Sequence, residues 1–62
     1  MYKIIVTTNE GRFFWSSGGL MELRWQGDSF ATLAEVESKM KQLQAQYPDW
    51  FIQRKLFRNV VS

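Results

Sequence analysis

The sequence predicts an α+β domain in the order β-β-β-α-β: a three-stranded antiparallel meander, one helix packed on one face, and a C-terminal strand. Three observations predict it. Runs of β-branched and aromatic residues within positions 1–25 are separated by glycine-bearing turns. Thr32-Leu33-Ala34-Glu35 has the form of a helix capping box and opens a stretch with apolar residues at helical spacing. Pro48 closes that stretch, after which an apolar and basic run resumes at Trp50.

Tyr2 to Thr8, "YKIIVTT", is the first strand. Asn9-Glu10-Gly11 reads as a three-residue hairpin loop, with Gly11 supplying the positive φ that closes a type I turn with a bulge, so that Thr8 faces Arg12. "RFFWSS" is the second strand. Gly18-Gly19 suits a two-residue turn that needs positive φ at both positions, and "LMELRW" is the third strand.

The helix starts at the capping box and ends near Tyr47, because a residue before proline is disfavoured in helical geometry. Its apolar residues Leu33, Val36, Met40, Leu43 and Tyr47 form one stripe. At about two heptads it is too short for a coiled-coil seam and is read as core. Glu35–Lys39 and Glu37–Lys41 are i,i+4 pairs in the favourable order. After a turn at Asp49, "WFIQRKLFRNVV" is the last strand. If the helix descends, that strand runs parallel to the first and can join the sheet beside it.

Counting back from the two turns gives a register and hence two faces. One face carries Tyr2, Ile4, Val6, Phe14, Met21, Leu23 and Trp25 and is the natural partner of the helix. The other places Ile5 beside Trp15 and Phe13 beside Arg24, with Lys3 at one end. Adjacent strand residues point to opposite faces, so "FFW" sends Phe14 inward and leaves Phe13 and Trp15 where one helix cannot cover them. Each aromatic can bury roughly 150–250 Å², so two side by side approach the patch size that marks an interaction site. The plain alternative is that they stabilise the sheet by cross-strand contact or lie beneath Phe51 or Phe57. A slip of one residue would exchange the faces and move the patch to Phe14.

Composition narrows the function. A chain of 62 residues forms one small domain. With no cysteine and no histidine it has no disulfide, and a structural zinc site lacks its usual ligands. No catalytic histidine or cysteine exists, Glu35 and Glu37 diverge on their helix, Ser16-Ser17 has no base nearby in sequence, and "SSGG" lacks the pattern of a phosphate-binding loop. The expectation is a protein without enzymatic activity, cofactor or metal. The apolar run near the N-terminus has three residues, far short of a signal-peptide core or a membrane span, so a cytoplasmic protein without membrane contact is expected.

The surplus of aromatics points to binding. The expected contact surface is Ile5, Phe13, Trp15 and Arg24, of types favoured at protein contacts, and pairing two such faces through Trp15 about a twofold axis predicts a homodimer. In size, in opening directly on a strand and in lacking any catalytic motif, the chain resembles the small accessory and inhibitor proteins of bacteriophages. That resemblance implies an inhibitor or regulator that occludes a partner protein's surface. The alternative is a single-stranded nucleic-acid binder that stacks bases on the sheet aromatics. Residues from Phe51 onward carry three bases and no acid, and its backbone contacts would be Lys3, Arg24, Arg54, Lys55 and Arg58. "RFFWS" lacks the glycines of the ribonucleoprotein motif that such sheets often carry, and because the total charge is low the basic strand is better explained as an edge guarded by charge.

Overall fold

In the computed structural model, which describes residues 1–57, the β-branched run folds as β1 (Tyr2–Thr8) and hairpins to β2 (Gly11–Ser16) and then to β3 (Gly19–Met21). A single 3₁₀ turn at Arg24–Gln26 follows, then α1 (Leu33–Gln46) and β4 (Phe51–Leu56). The strands form one antiparallel sheet in the order β3-β2-β1-β4, with the helix on one face. The expected part of the last strand beyond residue 57 lies outside the described residues.

The first hairpin loop is one residue shorter than expected, and the second keeps two residues but sits one position earlier, with positive φ at Gly19 and not at Gly18. Asn9-Glu10 alone separates Thr8 from its partner Gly11, and Ser17-Gly18 alone separates Ser16 from Gly19. Gly11 and Gly19 have φ of +136° and +132°, so each glycine does supply positive φ, but as the first residue of the returning strand and not inside the loop. A hydroxyl on the preceding strand tightens each turn. Thr8 Oγ1 accepts from the Glu10 amide at 3.1 Å, and Ser16 Oγ donates to the Gly19 carbonyl at 2.9 Å.

The shorter first loop slips β2 by one residue, so Val6 faces Phe13 and Ile5 faces Phe14. This corrects the expected faces. Phe13 and Trp15 now share a face with Ile4 and Val6, and Phe14 shares the other with Ile5. The second loop shifts β3 by two residues, placing Met21 opposite Phe14 and Leu20 opposite Trp15. Leu23 and Trp25, expected on the third strand, lie beyond it and are exposed.

The same region corrects the direction of β4. After three residues β3 ends, and the Leu23 amide donates to the Gln26 side chain as the chain turns back across the sheet. Phe30 then bridges Tyr2 with both backbone bonds at 2.8 Å. The chain has therefore returned to the Tyr2 end before the helix begins. The helix ascends from there toward the Thr8 end, and β4 descends beside β1, antiparallel to it and not parallel.

Thr32 caps α1, its hydroxyl accepting from the Glu35 amide at 3.2 Å, which is the threonine half of the expected capping box. Tyr47 ends it before Pro48. Val36 and Leu43 enter a core with Ile4 and Val6, and Met40, Trp15, Phe30 and Ile52 pack around them. The stripe is buried only at its centre; Leu33 and Tyr47 are exposed. Neither expected pair along the helix forms. Glu37 instead meets Arg54 of β4 at 3.4 Å, and the Lys39 ammonium bonds Gln42 and lies 5.3 Å from the Trp15 ring centre.

Candidate functional site

The face of the sheet away from the helix is built from alternate residues of three strands: Lys3 and Ile5 on β1, Arg12 and Phe14 on β2, Gln53 and Lys55 on β4. Its register brings Lys3 directly opposite Lys55, which would repel if both ammonium groups stayed between the strands. They part. Lys3 is buried and donates to the Gly27 carbonyl at 2.7 Å, while the Lys55 ammonium lies 5.5 Å from the centre of the Phe57 ring.

The segment after the 3₁₀ turn covers half of this face. The Asp28 amide donates to the Trp15 carbonyl at 3.0 Å, and the Asp28 carboxylate accepts from the Ser17 amide at 3.1 Å. Gly27 passes so close to the sheet that a Cβ there would lie 2.8 Å from Phe14 Cβ. No sequence signal singled out Gly27; its role exists only through this approach.

The other half stays open among the described residues, and there two aromatic rings meet. Phe14 and Phe57 have centroids 6.2 Å apart at 53°, within the range of favourable tilted pairs. Phe57 is held by its amide, which donates to the Met1 carbonyl at 2.9 Å. The Arg24 guanidinium lies 5.1 Å from the centre of the same ring. Together with Ile5, Arg12, Phe13 and Lys55 these residues line a hollow of about 360 Å³. Among the described residues three cations and no carboxylate line it. Next in the chain to Arg24, Trp25 projects from the 3₁₀ turn with 76% of its surface exposed.

The residues expected to bind a partner are thus divided. Ile5 and Arg24 belong to this open face. Trp15 packs against the core and stacks on Phe30 at 6.2 Å, and Phe13, besides reaching the hollow at Phe14 and Phe57, lines a second one of about 690 Å³ near the first hairpin loop, beside Glu10 and Asp49. Phe14 takes the place expected for Trp15, and Phe57 joins it. The residues expected at a nucleic-acid backbone divide as well: Lys3 is engaged by Gly27, Arg54 by Glu37 on the helix face, Lys55 remains on the open face, and Arg58 lies outside the described residues.

The arrangement offers apolar area and positive charge. Among the described residues no three His, Cys, Asp or Glu side chains converge in a way that could hold a metal ion. No helix among them is long and apolar enough to cross a membrane. Compared with protein families, curated proteins and solved structures, the chain matches none of them.

Proposed function

We propose that this chain is a non-enzymatic protein-binding module, a cytoplasmic inhibitor or regulator of the bacteriophage type. It occludes a partner whose surface presents carboxylates beside apolar side chains, docked on the open face of the sheet. The observation that carries this reading is the Phe14–Phe57 pair ringed by Arg12, Arg24 and Lys55 with no acid among the lining residues. Trp25 supports it, because tryptophan and arginine are the side chains most often responsible for binding energy at protein contacts and here they are neighbours in the chain.

A single-stranded nucleic acid would also meet these cations. Base stacking, however, needs accessible ring faces, and Phe57 is already approached by both Arg24 and Lys55 while Phe14 is tilted against it. The geometry therefore suits carboxylates and side chains better than a stack of bases.

Affinity capture from host extract tests this reading. A protein retained by the wild type and by the helix-surface variant Lys41→Ala, but lost with Arg24→Glu and with Trp25→Ala, is the expected result. In parallel, mixed single-stranded oligonucleotides at two salt concentrations should not bind. Binding that weakens steeply with salt would instead assign the face to nucleic acid.

A further inference from the structure

We propose that two copies of this chain pair through the outer edges of β4 about a twofold axis at Gln53, joining two four-stranded sheets into one of eight. β4 pairs with β1 on one side and, among the described residues, with nothing on the other. It offers six residues of edge, whereas the opposite edge, β3, offers three. Sheet edges are ordinarily guarded by charge. Here both candidate guards are drawn away onto the faces, Arg54 to Glu37 and Lys55 to the ring of Phe57. Apolar area is exposed at both ends of the same strand, with Phe51 at 60% and Leu56 at 52%.

The register of such a pair follows from geometry. A twofold axis normal to the sheet keeps each side chain on the same face as its cross-strand partner, so the axis must pass beside one residue. At Arg54 it would set two guanidinium groups directly opposite each other, which is unfavourable. At Ile52 it would leave Arg54 to Leu56 outside the pairing between the two strands. At Gln53 it sets amide against amide, Ile52 beside the partner's Arg54 and Phe51 beside the partner's Lys55. Leu56 then falls opposite the partner's Trp50. Each copy thereby adds an aromatic ring next to Lys55 on the open face of the other, and the two open faces lie on the same side of the joined sheet. The homodimer expected through Trp15 is replaced by one that leaves Trp15 in the core.

Sedimentation velocity from low to high micromolar concentration tests the proposal, using the full chain. The wild type should shift from monomer to dimer as concentration rises. Gln53→Lys and Gln53→Glu should each remain monomeric, because a like charge then faces itself across the axis, and an equimolar mixture of the two should recover the dimer. A wild type that stays monomeric, a charged variant that dimerises like the wild type, or a mixture that stays monomeric each overturns it. A second measurement does not depend on charge. Cross-strand Cα atoms are about 4.5–5.5 Å apart, within disulfide range, so Gln53→Cys in this cysteine-free chain should form an intermolecular disulfide under mild oxidation while Lys41→Cys should not. Equal crosslinking of the two variants also overturns the proposal.

Discussion

Arg24 holds its guanidinium carbon 5.1 Å from the centre of the Phe57 ring, tying the 3₁₀ turn after β3 to the residue that follows β4. An exposed contact of this type contributes about 0.5–1 kcal/mol. Arg24→Ala should therefore lower the urea midpoint only slightly. Its effect on partner capture should be far larger, because it removes a cation from the hollow beside Phe14.

Exchanging Phe14 and Trp15 as test positions separates surface from core. Trp15 packs against the core cluster of Ile4, Val6, Val36 and Leu43, so Trp15→Ala should cost about 3–5 kcal/mol. A domain of this size has little more stability than that to lose. Circular dichroism should show an unfolded chain. Phe14→Lys should keep the fold, because the alkyl stem can lie along the sheet with its ammonium in water, and should abolish partner capture.

Gly27→Ala should destabilise the domain by about 1–3 kcal/mol, the cost of forcing an extra carbon into a packed contact. The obstructing atom is Phe14 Cβ, which cannot swing aside as the tip of a flexible side chain could. Chemical denaturation should show the loss. Gly18→Ala is the control, since the nearest atoms to a Cβ there are 3.8 Å away and its φ is not positive.

Thr32→Ala removes the acceptor of the Glu35 amide and should cost about 1 kcal/mol, read from the thermal midpoint of the helical signal. Thr32→Asp should retain most of that stability, since its carboxylate can accept the same bond and also favours the helix N-terminus.

The elements were legible where local chemistry decides them. The β-branched run of Tyr2–Thr8, the cap at Thr32 and the stop at Pro48 each act through neighbours in the chain. The faces were not legible, because glycine announces positive φ without saying whether it stands inside a loop or begins the returning strand. Gly11 and Gly19 do the latter, and that difference of one residue at the first hairpin exchanged Phe14 with Trp15. The third strand forms but ends early, for another reason. "LMELRW" alternates as a strand should, but Gln26 accepts the Leu23 amide and Gly27 settles against Phe14, contacts that no local pattern contains. The return of the chain to Tyr2 then set the direction of β4. Of the candidate site, Arg24 and Ile5 are legible in the sequence, Phe14 follows from a slip of one residue, and Phe57 is legible only as a possible cover for a sheet aromatic, its partners Phe14, Arg24 and Lys55 being set by the fold.

The open face is a binding site only if Phe14 lies on that side of the sheet. Nuclear Overhauser contacts from the aromatic rings of the protein in solution decide it. Phe14 ring protons should show contacts to the Phe57 ring, and the Trp15 indole should show contacts to the Phe30 ring. Contacts from the Trp15 indole to Phe57, with Phe14 instead touching Val36, would restore the unslipped register and contradict the site described here.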